Sequence, residues 1–309
     1  MKNIFLSSIK ICGIAKEFET KKGLLLVEGN TIVEKAVPKG IAMKGAQRGK
    51  LVELKMTVGK GVKIKEPLFF CFGLSQAKAE QFVEPKIILE EGAEINLISH
   101  CSFPVAKANR HEMNGLFEIK KGAKLNYLEY HYHGEHSGTS VFPLLKVQVA
   151  EGGVFQSEFN LVKGTVGNTE ISLEVELADG ASSEIQTKVL GKSAKDIVSI
   201  TDKVFLLGKD SRSLIKMRSA AKNGGKVFMQ GETHAKGAGA LGHIDCQEVV
   251  IGQGSTAKAV PIVMVENETA RVTHEASVGK INQKELETLM TRGLSEEEAT
   301  ELIVQAMMR

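Results

Sequence analysis

Apolar and polar positions alternate along most of this chain, and turn-like interruptions break the alternation at regular intervals. The pattern is shared by four segments, ILEEGAEINLIS, EIKKGAKLNYLE, QVAEGGVFQSEF and VELADGASSEIQ. In each segment, a polar residue, a glycine and a further small or apolar residue separate two alternating runs. Alternation with a period of two is typical of a β-strand, and glycine beside a polar residue is typical of a tight turn. Each segment therefore predicts strand, turn and strand.

The turn glycines recur with a period near thirty residues. Gly92, Gly122, Gly152 and Gly180 mark four successive turns, and Asp210 stands where the next glycine is expected. A fixed long period predicts a β-solenoid, in which each coil stacks on the previous one through hydrogen bonds between strands. A β-sandwich is the alternative, but its turns usually come about every 8–12 residues and show no long-range period.

Two further turn markers, Gly225 and Gly254, repeat almost the same step. The step from Asp210 to Gly225 is about half of the main period. These two glycines are therefore predicted to mark turns at the opposite end of a strand pair from the first series.

The regularity of the pattern divides the chain into three parts. These are an irregular N-terminal cap, a β-helix core and a C-terminal helical hairpin, predicted for residues 1–60, 61–281 and 282–309. Asn282 can cap the first helix of the hairpin, and Ser295 can open the second through a capping box. The apolar faces of the two helices can pack against the solenoid or bind a partner, and the sequence leaves both possibilities open.

Charge and aromatic content narrow the choice of function. The 40 Lys and Arg residues and the 37 Asp and Glu residues give a net charge of +3, and basic residues do not alternate with aromatics. Nucleic acid is therefore not the expected partner. Trp is absent and Tyr occurs three times, which argues against stacking sites for sugars and disfavours a carbohydrate-active β-helix enzyme such as a lyase.

The cysteines and the longest apolar runs bear on the compartment. The chain has four cysteines, Cys12, Cys71, Cys101 and Cys246. They are far apart and form no CxxC pair, which fits a reducing compartment. No apolar run approaches the roughly 20 residues that cross a bilayer. Polar residues interrupt the N-terminal stretch MKNIFLSSIKICGIA, which disfavours a signal peptide. The protein is therefore predicted to be cytoplasmic, with no membrane partner.

Cys246 lies among groups that can bind metals, in the stretch GHIDCQEVVIGQG. If one coil equals the step from Gly225 to Gly254, Cys246 stacks on Glu275 and Asp245 stacks on His274, with roughly 4.8 Å between neighbouring strands. The thiol and the carboxylate would then project from the same face. A thiolate suits iron–sulfur clusters, and Glu or His can complete the coordination. The alternative is a buried thiol beside a surface glutamate.

A second group of possible metal ligands lies in EYHYHGEH. His131 and His133 point to the same face if this stretch is a strand. They can form an auxiliary iron or zinc site, or a polar patch on the β-helix. About one period upstream, further groups could stack on them: His100, Cys101, His111 and Glu112.

The last seventy residues resemble the SufB/SufD family of Suf-type iron–sulfur cluster assembly proteins. The resemblance rests on the cysteine strand GHIDCQEVVIGQG, on ARVTHEA and SVGKI, and on RGLSEEEA between the two helices. These motifs cover residues 240–309, whereas the middle of the chain matches only in its repeat style and the N-terminus hardly at all. The short chain is similar to the compact version of minimal assembly systems, in which one subunit type replaces the SufB–SufD pair.

The resemblance implies a right-handed parallel β-helix with a small helical C-terminal domain. It also implies a dimer, here a homodimer, whose β-helices meet edge to edge. In the SufB branch of the family, the cysteine matching Cys246 and the glutamate matching Glu275 are implicated in building an iron–sulfur cluster at that interface, and His274 matches the neighbouring family histidine. A histidine of the SufD side supports the site in the family, and His243 and His274 are the candidates for that role here.

The implied function is that of a scaffold and not of an enzyme. The resemblance implies that a SufC-like ABC ATPase binds the C-terminal helices, and this chain has no GxxxxGK[ST] motif of its own. A sulfur donor and apo-protein acceptors are the other expected partners. The alternative function is a metal-dependent hydrolase that uses the histidine-rich strand 131–136.

Overall fold

The computed structural model describes the backbone of residues 2–308 and the side chains of residues 5–308. About 60% of the chain is β-strand and 11% is helix. Two helices precede the strands and two follow them: α1 (Lys2–Ile11), α2 (Ala15–Glu19), α3 (Gln283–Met290) and α4 (Glu296–Met307).

The strands form two large sheets. The first sheet has ten strands: β1 (Gly23–Glu28), β2 (Thr31–Ala36), β5 (Lys63–Gly73), β7 (Glu94–Ser102), β9 (Lys124–Tyr132), β11 (Val154–Lys163), β13 (Ser182–Gly191), β15 (Arg212–Lys222), β17 (Leu241–Ile251) and β19 (Arg271–Gly279). The second sheet has nine: β3 (Ile41–Arg48), β4 (Leu51–Val58), β6 (Lys78–Leu89), β8 (Ala108–Ile119), β10 (Thr139–Val149), β12 (Asn168–Leu177), β14 (Ile197–Leu206), β16 (Lys226–Ala235) and β18 (Thr256–Val265).

From β4 onward, successive strands alternate between the two sheets, and each strand pairs in parallel with the strand two positions later. One strand from each sheet therefore makes one coil, and the chain forms a parallel β-solenoid of about 8 coils. This confirms the predicted solenoid and excludes the β-sandwich. At the N-terminal end the stack is bounded by antiparallel pairs, because β2 runs antiparallel to β1 and β3 antiparallel to β4.

The turn markers explain why the period is readable in the sequence. Gly92, Gly122, Gly152 and Gly180 have φ between 62° and 65°, and Asp210 adopts φ 55° at the equivalent turn. A Cβ added at any of these four glycines would meet no atom within 4 Å, so the left-handed backbone and not lack of space favours glycine. Aspartate is one of the few other residues that tolerate this conformation.

Gly225 and Gly254 lie in the turns that follow β15 and β17, at the opposite corner of the coil from the first series. The prediction that they mark the other end of a strand pair is confirmed.

The core lies between the two sheets. Alternate side chains of every strand face inward and form one continuous buried cluster that runs from Leu25 to Cys246. A second cluster lies outside the first sheet, where Phe5 and Ile9 of α1 cover Cys71 and Ile98. Cys71 is buried at this second cluster, whereas Cys12 is half-buried there.

The helical hairpin has the predicted caps. The Asn282 side chain accepts hydrogen bonds from the backbone N–H groups of residues 284 and 285, and Ser295 forms a capping box with Glu298. Helix α4 packs on the outer face of the first sheet, where Val304 is buried against Leu190 and Ala220.

The division of the chain at residues 60 and 281 stays a prediction, although strands β1–β4 already belong to the two stacks. Within residues 2–308, no helix combines the length and the apolar character that a membrane span requires.

Candidate functional site

Strand β17 carries Cys246 near the C-terminal end of the solenoid. Its inward positions are Ile244, Cys246 and Glu248, and Cys246 is 1% exposed within the main core. His243 and Asp245 occupy the outward positions of the same strand and are half-buried. The two faces of β17 therefore present different chemistry, a thiol and a carboxylate inside and an imidazole and a carboxylate outside.

The register between β17 and β19 corrects one prediction. Cys246 pairs with Ala276, while Glu275 pairs with Asp245 and His274 pairs with Ile244. Paired residues of parallel strands point to the same face, so His274 shares the inward face with Cys246 and Glu275 lies on the outward face. The prediction that Cys246 and Glu275 project from one face is wrong.

The physical reason is the length of one turn. Met217 of β15 pairs with Cys246 of β17, so the sequence separation between these two strands is the one predicted from Gly225 and Gly254. The turn after β15 contains three residues, whereas the turn after β17 contains four, because Ser255 follows Gly254 before β18 begins. This additional residue lengthens the next step by one, and a shift of one residue moves every side chain to the other face.

The outward face of β17 and β19 is a polar surface. The Arg218 guanidinium pairs with the Asp245 carboxylate and also donates a hydrogen bond of 3.0 Å to the Asp245 carbonyl oxygen. Nδ1 of His243 lies 2.8 Å from the Thr273 hydroxyl oxygen. Glu275 lies beside Asp245 in the register and is exposed. Glu275 and His243 thus share this surface, and Cys246 lies beneath it.

The inward face places a carboxyl group next to the thiol, which the sequence analysis missed. Glu248 is 1% exposed, and neither of its carboxyl oxygens has a hydrogen-bond partner among the described residues. Burial raises the pKa of Glu248 to about 7. Burial also raises the pKa of the Cys246 thiol to about 12, and the carboxyl of Glu248 contributes to this rise. The spacing of two residues on a strand is the signal that would have identified this pair.

Cys246 lies one strand away from the C-terminal end of the stack. β19 is the last strand of the first sheet and β18 the last strand of the second. Apolar side chains of both strands are accessible at this end: Val278 is 48% exposed, Met264 46% and Val265 45%. A sheet edge with free N–H and C=O groups is a template for pairing with another chain.

The histidine-rich stretch lies in the middle of the solenoid. His131 is inward on β9 and His133 directly follows the strand, and Nδ1 of His131 is 3.1 Å from Nε2 of His133. Cys101 of β7 pairs with His131, which confirms the predicted stacking for the thiol. His100 lies on the opposite face of β7, where it pairs with Tyr130, and Glu112 faces outward beside Arg110.

The hydrolase alternative is not supported. His131 is 1% exposed and His133 is 0% exposed, so a substrate in solution cannot reach either ring. What the sequence analysis missed here is Glu129, two residues before His131 on the same inward face, with Nε2 of His131 2.8 Å from its Oε1.

Comparison with known proteins gives a consistent result. Residues 72–307 match the family model described as "SUF system FeS cluster assembly, SufBD core domain". An iron-sulfur cluster assembly SufBD family protein of Methanocaldococcus jannaschii is 38% identical over 283 residues, which cover 92% of this chain and 89% of that protein. A protein of the same description from Pyrococcus horikoshii is 27% identical over 292 residues, covering 94% and 88%. One from Staphylococcus epidermidis is 30% identical over 257 residues, which cover 80% of this chain and 53% of the longer relative.

Proposed function

Because the chain belongs to the SufBD family of the SUF iron–sulfur cluster assembly system, we propose that it is a scaffold subunit on which clusters are built and from which they are transferred. The observation that carries the proposal is the position of Cys246, one strand from the open C-terminal end of the solenoid. The cluster is the cargo of such a protein, and hydrolysis of ATP belongs to a partner.

We propose that two copies of the chain meet at this end, through the free edges of β18 and β19. A two-fold interface brings each residue of one copy near its equivalent in the other, so two Cys246 thiols can serve one site. One thiol per chain is too few for a cluster, which is usually held by four protein ligands. Mixed ligation by sulfur, oxygen and nitrogen also suits a cluster that has to be released.

The ligands that accompany Cys246 are proposed from the two faces of β17 and β19. His274 and Glu248 share the inward face with the thiol, while Glu275 and His243 lie on the outward face. A single chain cannot bring Glu275 to the thiol without a change of register. Glu275 and His243 therefore take part through the interface with the second copy, and Glu248 is the carboxylate of the same chain.

Cys246 is protonated in the isolated chain, because burial raises its pKa to about 12. A thiolate is the form that binds iron, so cluster assembly has to displace the thiol proton. The charge of bound iron supplies this displacement. The thiol is thus expected to lose its proton when iron binds and to take a proton back when the cluster leaves, which fits assembly and release.

A SufC-like ABC ATPase is the proposed partner of the helical hairpin. Val304 is buried against the sheet, but Leu302 remains 42% exposed on α4 and Met290 41% exposed at the end of α3. These side chains leave an apolar surface for a partner. A sulfur donor and apo-protein acceptors complete the proposed set, and the four free cysteines fit a reducing compartment such as the cytoplasm.

Anaerobic reconstitution with ferrous iron and sulfide tests the site. Wild-type protein is expected to bind iron and acid-labile sulfide and to show cluster absorption, and Cys246→Ser is expected to lose the sulfide, the absorption and the iron that accompanies them. Cys71→Ser is the matched control, since Cys71 is also fully buried but lies on the outer face of β5. Equal iron and sulfide content in Cys246→Ser and Cys71→Ser would contradict the proposal.

A second comparison distinguishes the contributions of Glu248 and Glu275. Both variants are compared at a concentration where sedimentation shows the dimer, because the proposed site needs two copies of the chain. Glu248→Gln is expected to weaken cluster retention because Glu248 shares the inward face with the thiol, and Glu275→Gln because Glu275 reaches the site across the interface. If Glu275→Gln is defective and Glu248→Gln retains the cluster like the wild type, the assignment of Glu248 is wrong.

A further inference from the structure

A second group of metal-binding side chains lies inside the solenoid, far along the chain from Cys246. Cys101, Glu129 and His131 each offer one donor atom, and these three atoms lie within 4.8 Å of one another. Cys101 and His131 are paired residues of β7 and β9, and Glu129 is two residues before His131. All three side chains face the interior, and none is more than 7% exposed.

Two of the donors are oriented by neighbouring groups. The Tyr127 hydroxyl donates to Oε2 of Glu129 at 2.9 Å, which leaves Oε1 directed at Nε2 of His131. His133 donates from Nδ1 to the carbonyl oxygen of Val166 at 2.8 Å. Because Nδ1 of His133 is the donor in that bond, its Nε2 accepts a hydrogen bond from Nδ1 of His131 at 3.1 Å.

These contacts fix which atoms are left to bind a ligand. Nδ1 of His131 is engaged with His133, so Nε2 is the nitrogen that faces Glu129 Oε1 and the Cys101 thiol. Outer hydrogen bonds of this kind, from a hydroxyl to a carboxylate and from an imidazole N–H to an acceptor, are what metal ligands ordinarily have.

A fourth donor lies next to the thiol. Nε2 of His111 is 3.8 Å from Cys101 Sγ, and Nδ1 of His111 has no hydrogen-bond partner among the described residues. No other described hydrogen bond holds the His111 ring, so the ring can turn one nitrogen toward a bound ion.

We propose that Cys101, Glu129 and His131 bind a divalent transition-metal ion of the Zn²⁺ or Fe²⁺ type in the interior of the solenoid, and that His111, whose Nε2 lies 3.8 Å from the thiol, turns toward the ion as the fourth ligand. One thiolate, one carboxylate and two neutral imidazoles suit these ions, which accept mixed sulfur, nitrogen and oxygen ligands in tetrahedral geometry. The site is separate from Cys246 and does not depend on the proposed scaffold function.

The charges and protons of this step balance. The ion brings two positive charges, and the thiolate and the carboxylate bring two negative ones, so the filled site is neutral in a low-dielectric interior. Two protons leave, one from the Cys101 thiol and one that the Glu129–His131 pair shares. No oxidant or reductant is needed.

The geometry requires a small opening of the present contacts. Oε1 of Glu129 and Nε2 of His131 are 2.8 Å apart, whereas two ligands about 2.0–2.1 Å from a tetrahedral ion lie about 3.3 Å apart. A shift of about half an ångström is within the reach of side-chain rotation. Because the donors are enclosed, we expect the ion to enter while the coils fold and not afterwards.

The test uses protein that carries Cys246→Ser, so that iron bound at the proposed cluster site does not contribute. This protein is unfolded with a chelator, refolded with Co²⁺ or Zn²⁺ and desalted, and bound metal is counted by mass spectrometry. About one tightly bound ion per chain is expected. Co²⁺ should also produce a thiolate-to-metal charge-transfer band in the near ultraviolet.

Three further variants identify the thiol. Cys12→Ser, Cys71→Ser and Cys246→Ser together leave Cys101 as the sole thiol, and the charge-transfer band should persist. Cys101→Ser with Cys246→Ser should lose the band and at least tenfold in metal affinity, whereas Cys71→Ser with Cys246→Ser should keep both. A refolded Cys246→Ser protein without bound metal overturns the proposal, and so does equal metal binding after loss of Cys101. The metal content of refolded Cys246→Ser protein tests the proposal even if a variant with several substitutions fails to fold.

Discussion

The buried carboxyl of Asp202 makes the stability of the solenoid depend on pH in a calculable way. Asp202 faces the interior from β14, is 2% exposed, and accepts a hydrogen bond of 2.7 Å from the Thr187 hydroxyl. Burial raises its pKa from 3.8 to about 6, although the hydrogen bond from Thr187 opposes this. The folded state therefore binds the Asp202 proton more tightly than the unfolded chain does.

The sign and size of the effect follow from that pKa. The stabilisation by the protonated carboxyl is fully present below about pH 3.8 and is lost as the pH rises through 6. A shift of about two units corresponds to roughly 3 kcal/mol, as an upper estimate. Asp202→Asn keeps the shape and removes the titration. At each pH, the free energy of unfolding of the wild type is subtracted from that of Asp202→Asn. This difference is expected to rise by up to about 3 kcal/mol between pH 4 and pH 8.

Urea unfolding measured by far-ultraviolet circular dichroism at several pH values provides the assay, since the chain contains no Trp for fluorescence. Thr187→Val is a useful second variant. Loss of its hydroxyl should raise the pKa of Asp202 further and should destabilise the protein more at pH 8 than at pH 4. A difference between Asp202→Asn and wild type that stays constant from pH 4 to pH 8 would refute the reasoning.

Further predictions concern the turns and the hairpin. Gly92→Ala should lower the free energy of unfolding by about 1–2 kcal/mol, because φ is 65° there, and Asp210→Gly should raise it by up to about 1 kcal/mol; unchanged urea midpoints would contradict both. Val304→Ala removes two buried methyl groups from α4 and should destabilise docking of the hairpin by roughly 1–2 kcal/mol, measured by hydrogen exchange in α4. Leu302→Glu should weaken binding of a SufC-like ATPase at least tenfold in sedimentation experiments without changing the melting temperature, and an unchanged affinity would exclude this face.

The fold was predictable because its turns recur in the sequence. Four glycines and Asp210 adopt the left-handed backbone at one corner of each coil, so their positions record the period directly. The N-terminal helix could not be placed in this way. Its position depends on the packing of Phe5 and Ile9 over Cys71, and no periodic signal in the sequence identifies that contact.

The stacking of the strands that carry the candidate residues was predictable from the sequence, but the faces on which those residues lie were not. The spacing from Gly225 to Gly254 equals the coil from β15 to β17, but Ser255 adds one residue to the following turn and reverses the facing of Glu275 relative to Cys246. A step estimated from turn markers is therefore too coarse to assign faces. The pairs separated by two residues on one strand, such as Cys246 with Glu248, are independent of turn length and would have been the safer guide.

The central claim is that this chain builds a cluster at Cys246 and passes it on. The most direct measurement is transfer of a reconstituted cluster to an apo-ferredoxin, followed anaerobically by circular dichroism of the acceptor. Wild type and Cys71→Ser should convert the acceptor to its holo form, and Cys246→Ser should convert no more than free iron and sulfide do in the presence of a chelator. Conversion by Cys246→Ser at the wild-type rate would contradict the account.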